Sequence, residues 1–501
     1  MSGHGSRIIA ALHRHAAESP ERIALVGGDH RMDYASLLAA VQALAESLRT
    51  SGGTRVGIVA DNGIAWALSD LAALHAGLVS VPLPLFFSAQ QIAHAIADAG
   101  IDLLLIDRRL PPQMALPGTQ DLSGLLPPAA ASLLRLLGVP AQARPLHAAT
   151  RKITYTSGTT GSPKGVCLGI EQQERVAEAL AQASGANAQS QHLCVLPLAT
   201  LLENIGGLYA PLLVGATTHL PSLGAVGLDG ASGFDPGKLL LQIERAQANS
   251  LILVPQLLQA LVAAIETQAA PLRSLSFVAV GGAMVSPTLL GRATRSGLPV
   301  YEGYGLSECA SVVALNTIAH ARPGSVGRPL PHLRLRIADD GEVQVSGNGY
   351  LGYVGEPAHE PATEVATGDI GHLDEDGFLH LTGRKKNIFV TAYGRNVSPE
   401  WVESELVQQA AIAQAAVFGE ARPYNVAVIV PRTREPTAVQ AAVDAVNRGL
   451  PDYARIHRWI AASQPFAPAN DQLTPNGRLR RAAIALAYRI PLESLYEETA
   501  A

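Results

Sequence analysis

The chain has 501 residues, 48% of them apolar and 16% charged, which suits a well-cored globular protein of about two to four domains and excludes a disordered one. A formal net charge of -5 lacks the basic excess of a nucleic-acid binder and argues against that class. The three cysteines show no CxxC pair and no metal-ligand spacing, as expected of reduced thiols in a cytoplasmic protein.

Near the start, Ile8, Ile9, Ala10, Ala11 and Leu12 lie between Arg7 and His13-Arg14. That run is too short for a signal-peptide core and reads as an amphipathic helix. The apolar runs 56–60, 103–106, 251–254 and 277–280 are brief and apolar throughout, as strands covered on both faces are. Helical stretches at 34–49 and 236–248 alternate with them, so the pattern is α/β. The most apolar long stretch, 65–87, holds Ser69, Asp70, His75 and two prolines. It reads as a buried helix and strand rather than a membrane span, which leaves peripheral membrane contact open. Residues 111–149 turn Pro/Ala/Leu-rich without a period and read as a variable connection. Alternating strands and tight turns are expected around 341–353. After Arg384, Ile388-Phe389-Val390 and a Gly/Asn turn precede a helix with Ser398 as N-cap, Pro399 at its first position and Glu400 complementing its dipole. These features predict a small α+β domain at 385–501 behind a large domain at 1–384, with the boundary at Lys385 and Lys386.

The most telling segment is Tyr155-Thr156-Ser157-Gly158-Thr159-Thr160-Gly161-Ser162-Pro163-Lys164-Gly165-Val166. Glycines turn backbone N–H groups toward a polyanion, hydroxyls add donors, and a lysine supplies mobile positive charge, so the loop is expected to bind phosphate. It is not a Walker A loop, because Lys164 is followed by Gly165-Val166 rather than by Ser or Thr, and the glycine spacing differs. Lysine occurs elsewhere only at 152, 238, 385 and 386, which makes each of these a candidate site residue.

The loop resembles the signature of the acyl-adenylate-forming (AMP-binding) superfamily, which includes acyl-CoA synthetases, peptide-synthetase adenylation domains and luciferases. The resemblance runs from about His30 to Arg481. Met32-Asp33-Tyr34-Ala35-Ser36-Leu37 and Leu74-His75-Ala76-Gly77-Leu78-Val79-Ser80-Val81-Pro82 look like its first, structural motifs. It implies stacked sheets plus a β-rich subdomain in the large domain, and a mobile small domain. It also implies ATP, Mg²⁺ and a thiol acceptor, either CoA or the phosphopantetheine of an acyl carrier protein.

Carried over residue by residue, the resemblance places Thr156, Ser157, Gly158, Thr159, Thr160, Gly161 and Lys164 around the phosphates. Gly281, Gly282 and Ala283 lie against adenine. Tyr304-Gly305-Leu306-Ser307-Glu308 is similar to the family's Tyr-Gly-x-Thr-Glu, with Tyr304 near adenine and Glu308, together with Thr156, holding magnesium. Asp369 would bind the ribose hydroxyls with Arg384 assisting, and Asp374 to Asp376 would form a solvated turn. Lys386 falls at the family's hinge position. Gly394, within Tyr393-Gly394-Arg395-Asn396-Val397, would flank the pantetheine channel.

Two departures stand out. In Leu473-Thr474-Pro475-Asn476-Gly477-Arg478, arginine occupies the position of the family's catalytic lysine, and no lysine follows Lys386. Arg478 keeps the positive charge with a bulkier, planar group. In Leu196-Pro197-Leu198-Ala199-Thr200-Leu201-Leu202-Glu203, Thr200 replaces a histidine beside the carboxylate pocket. No acid lies between Pro197 and Leu202, which argues against an amino-acid substrate. The tail, with Leu450-Pro451-Asp452-Tyr453 and Pro465-Phe466, is most similar to long-chain acyl-CoA synthetases. A small-molecule carboxylic acid, apolar and fatty, is therefore expected, with an aryl acid as the alternative. The other reading, of a different class, is a nucleotide or acyl-AMP binder weakened by Arg478.

Overall fold

The computed structural model describes residues 5–111, 118–142, 144–156, 163–229, 233–268, 272–356, 363–474 and 477–497. The first large sheet has seven strands in the order Gln120–Asp121, Leu134–Gly138, Leu103–Asp107, Arg55–Val59, Val79–Pro82, Lys152–Thr156 and Lys164–Leu168. Its middle strands pair in parallel and antiparallel hairpins close both edges. The runs expected as strands at 56–60 and 103–106 form its centre. The segment 111–149 is more than a connection, because Leu134–Gly138 pairs along the whole of Leu103–Asp107.

The second sheet has nine strands, and its central members His192, Ser250, Phe277 and Val300 begin or lie in strands that run parallel. Residues from both sheets, including Ile58, Leu25 and Phe277, belong to one apolar core. The helix Ile64–Ala76 is buried at every position from Ile64 to Ala73, because it packs against strands of both sheets. A helix apolar on all sides is what such an interior demands. Its one carboxylate, Asp70, is fully buried and compensated. Lys152 Nζ lies 2.8 Å from it, and Ser80 and Tyr209 donate at 2.7 and 2.6 Å. Lys152 also donates to the Asn204 side chain. This lysine is therefore a core residue and not a site residue.

A four-stranded antiparallel sheet follows, with the hairpin Glu364–Leu373 and Leu379–Arg384 at one edge. Arg322 pairs with Asp374 and Asp376 at the hairpin turn. Lys385 is tied to Asp340 and Glu342 at 2.6 and 2.8 Å. From Phe389 onward the chain builds its own three-stranded sheet, Ile412–Phe418, Asn425–Pro431 and Ile456–Ala461, with two apolar clusters drawn only from these later residues. The helix Pro399–Leu406 begins after Ser398 as expected. The Ser398 hydroxyl, however, turns to Glu400 at 3.3 Å and makes no capping bond. Among the described residues no helix is long and apolar enough to cross a membrane.

Candidate active site

The hairpin Lys152–Thr156 and Lys164–Leu168 delivers the phosphate-loop candidates: Thr156 ends one strand opposite Lys164, which begins the next. Ser157, Gly158, Thr159, Thr160 and Gly161 lie outside the described residues. The exposed Lys164 ammonium sits 5.3 Å from the Tyr353 ring centre, a distance for cation–π attraction. Tyr353 Oη in turn donates to Glu308 at 3.0 Å. Burial and the Glu308 charge push the Tyr353 hydroxyl well above the ordinary phenol range.

Glu308 sits in a short 3-10 turn, Ser307–Cys309, entered from the strand Val300–Leu306. The next two residues, Ala310 and Ser311, have φ of 58° and 97°. Left-handed backbone at non-glycine residues is strained, and here it reverses the chain so that Gly305 faces Ser311. A Cβ at Gly305 would lie 1.7 Å from the Ser311 carbonyl oxygen. That glycine is required by strand pairing.

On the same strand Tyr304 Oη donates to Asp369 at 2.5 Å. The Asp369 carboxylate also meets Arg384 Nε at 2.8 Å across the hairpin where the two residues are paired. Burial raises the Asp369 carboxyl, while Arg384 and Tyr304 oppose the rise. The turn Gly281-Gly282-Ala283 follows the strand Phe277–Val280, and Gly282 has φ +85°. Arg478 Nη2 donates to the Gly282 carbonyl at 3.3 Å. Arg478, which follows the three-stranded sheet in the chain, thus contributes a side chain to a site built otherwise on the two large sheets and the four-stranded one. Arg478 is surrounded by protein yet stays open to the water of the cavity. Burial and Arg384 lower its pKa, whereas Asp369 and Glu308 act to raise it.

Lys164, Gly281, Gly282, Ala283, Tyr304, Gly305, Leu306, Ser307, Glu308, Asp369, Arg384 and Arg478 all line one cavity of about 2690 Å³. That exceeds the several hundred Å³ of a single-ligand pocket. Part of its lining is apolar, at Leu196, Leu202, Val254, Leu257 and Met284. Thr200 also belongs to the lining, with its hydroxyl turned back to the Pro197 carbonyl at 2.6 Å. Gly394 does not line the cavity. It occupies the turn between Phe389–Val390 and Asn396–Val397 with φ +72°, beside Tyr393, which is 76% exposed.

The AMP-binding enzyme model matches residues 12–356, and the AMP-binding enzyme C-terminal domain model matches 386–500. The chain belongs to the AMP-binding enzyme family. It is 29% identical to the long-chain-fatty-acid–CoA ligase FadD15 of Mycobacterium bovis, over 90% of this chain and 89% of that protein. It is 30% identical to a feruloyl-CoA synthase of Amycolatopsis sp, over 83% and 87%. The fold is similar to that of the anthranilate CoA ligase AuaEII solved with anthranoyl-AMP, with a TM-score of 0.81 at 19% identity over 97% of this chain and 98% of that one.

Two cavity residues were not singled out from the sequence. Tyr353 links Lys164 to Glu308, and its only sequence signal is the aromatic–glycine alternation Tyr350-Leu351-Gly352-Tyr353. Glu302, two residues before Tyr304 and therefore on the same strand face, is 7% exposed. Burial pushes its carboxyl up to about 8, opposed only by the Gly324 backbone N–H.

Proposed function

We propose that this protein is an AMP-forming ligase that joins an apolar, fatty carboxylic acid to coenzyme A through an acyl-adenylate. The observation that carries the reading is the presence of Lys164, Glu308, Asp369 and Arg478 on one cavity whose lining is in part apolar. In the first step the acid's carboxylate oxygen attacks the α-phosphorus of ATP and pyrophosphate leaves. In the second the thiol sulfur attacks the acyl carbon and AMP leaves. Neither step needs a protein nucleophile, so the chain's work is positioning and charge neutralisation.

Asp369, oriented by Arg384 and Tyr304, accepts the ribose hydroxyls. Lys164 faces the departing pyrophosphate together with the loop 156–161. Arg478, held against the Gly282 carbonyl, offsets charge between the acid and the α-phosphate. Glu308 suits a magnesium ion: it is a carboxylate of the cavity lining to which, among the described residues, Tyr353 alone donates. Bound with ATP, magnesium would neutralise phosphate charge. Lys385 and Lys386 form the hinge between 1–384 and 385–501, and rotation there would exchange Arg478 for the turn carrying Gly394. The curated relatives reported above are CoA ligases by name, which favours CoA over a carrier-protein thiol. The fatty-acid ligase matches the greater share of this chain, and the apolar part of the lining suits an alkyl chain.

The test is acid-dependent pyrophosphate release with ATP and Mg²⁺ across fatty and aryl acids, for wild type, Lys164→Ala and Arg478→Lys. Release with a long-chain acid, lost in Lys164→Ala, supports the proposal. Preference for an aryl acid corrects the substrate. Release by Arg478→Lys but not by wild type would overturn catalysis in favour of a binder.

A further inference from the structure

The helix Ala89–Ala99 packs against the hairpin that carries the phosphate-loop candidates and has no part in the chemistry proposed above. Its start is fixed by a capping box, in which Ser88 Oγ accepts the Gln91 N–H at 3.2 Å and Gln91 Oε1 accepts the Ser88 N–H at 2.9 Å. Its end is fixed by Gly100, with φ of 62°, a left-handed cap that glycine adopts without strain. Between them Ala95, Ile96 and Ala99 are buried in one apolar cluster with Ile153, Tyr155 and Cys167 of the hairpin Lys152–Thr156 and Lys164–Leu168. The helix is therefore a firm base on which the hairpin rests.

Two polar side chains of this helix reach the hairpin, one on each strand side. Asp98 accepts the Tyr155 hydroxyl at 2.9 Å and pairs with Arg144 at 2.8 Å. Burial and the Asp98 charge push that hydroxyl well above the ordinary phenol range, so it stays a donor. His94, one turn earlier, lies edge-on to the Tyr155 ring with centroids 6.4 Å apart. Its Nε2 is 3.1 Å from the Pro163 carbonyl oxygen. A carbonyl only accepts, so the ring nitrogen carries the proton and donates.

The acceptor matters because of the residue that follows it, Lys164. The proline ring fixes φ, and a carbonyl held from outside fixes ψ, because ψ sets the direction of the oxygen. Both dihedrals of Pro163 are thus determined, and with them the peptide plane from which Lys164 starts. A lysine carries its charge on a flexible four-carbon stem, so a defined origin narrows where the ammonium can go. At the other end of that stem the Tyr353 ring centre lies 5.3 Å from Nζ. Lys164 is therefore held from its backbone side by His94 and at its ammonium by an aromatic face.

We propose that His94 is a positioning residue: by holding the Pro163 carbonyl it sets where the Lys164 ammonium meets the β- and γ-phosphates of ATP. The assignment rests on the reading of Lys164 given under the proposed function. His94→Phe keeps a ring against Tyr155 and removes the donor, and His94→Gln returns an N–H at similar reach. Calorimetry reads the Kd of ATP with Mg²⁺ and the Kd of AMP, which lacks the phosphates that Lys164 faces. The expected result is an ATP Kd raised about three- to tenfold in His94→Phe, an AMP Kd within about twofold of wild type, and an ATP Kd restored by His94→Gln. With the acid that wild type prefers, pyrophosphate release should slow about tenfold in His94→Phe, while thioester formation from supplied acyl-adenylate keeps its rate. An ATP Kd unchanged in His94→Phe, equal weakening of ATP and AMP, or a His94→Gln that fails to restore ATP would overturn the proposal. Wild type that binds both nucleotides but releases no pyrophosphate with any acid defeats the ligase reading, and the ATP and AMP titrations still decide His94. Where His94→Phe does not fold, His94→Ala takes its place in the same comparison.

Discussion

Glu302 offers a direct test of how the cavity treats charge. Its carboxyl is 7% exposed on the strand that carries Tyr304. Burial lifts its pKa from the ordinary 4.5 to about 8, and only the Gly324 N–H pulls the other way. An acid raised on folding binds its proton more tightly in the native state. Stability is then full below the unfolded value and falls as pH rises toward the folded one. The gap between 4.5 and about 8 corresponds to roughly 5 kcal/mol at about 1.4 kcal/mol per pH unit, an upper bound because cavity water relaxes the cost. Glu302→Gln removes the titration while keeping the shape. Urea unfolding of the large-domain transition at pH 5, 7 and 9 should therefore show variant and wild type close at pH 5. The variant should be ahead by several kcal/mol at pH 9. AMP binding by wild type should weaken above pH 8, because a carboxylate then joins a site meant for an anion, and the variant should lose less. A stability difference that stays constant from pH 5 to 9 would refute the assignment of a neutral Glu302.

Three further outcomes follow from the same geometry. Lys152→Met leaves Asp70 buried without its cation and should cost about 3–5 kcal/mol in unfolding free energy, most of it recovered by adding Asp70→Leu. Asp369→Asn removes the charge that pairs with Arg384 and accepts from Tyr304, and should raise the AMP Kd roughly ten- to hundredfold, about 1.5–3 kcal/mol, as read by calorimetry. Tyr353→Leu removes both the ring under Lys164 and the hydroxyl on Glu308, and should raise the ATP KM about three- to tenfold. An unchanged KM would exclude Tyr353 from the site.

Local signals were enough to single out candidates wherever a role depends on neighbours in the chain. The Tyr304–Glu308 run, singled out from its motif, does lie on the cavity, and so do Asp369 and Arg384, paired across one hairpin. What stayed hidden depends on distant partners. Lys152 and Lys164 look alike in sequence, and only Asp70, eighty-two residues away, makes the first a core residue. Leu134–Gly138 has no β-branched residue and becomes a strand because Leu103–Asp107 offers it an edge. His192 and Glu203, eleven residues apart, give no sequence signal of the 3.2 Å contact they make in the core. Ser398 was legible as a helix start, but Glu400 takes its hydroxyl.

The arginine at 478 also reads differently once its neighbours are known. Arg384 is held at the same cavity by Asp369, and Arg384 together with burial lowers the pKa of Arg478. The same forces act on Lys386, whose pKa is lowered by burial, Arg384 and Arg478. An ammonium placed at 478 would start from about 10.4 and be pushed in the same direction. A guanidinium starts higher and keeps its charge. Its planar fork also reaches the Gly282 carbonyl, a neutral acceptor, while Asp369 and Glu308 supply the compensating charge. Arginine at 478 therefore keeps, beside Arg384, the positive charge that a lysine would supply there, and adds a planar fork that reaches the Gly282 carbonyl.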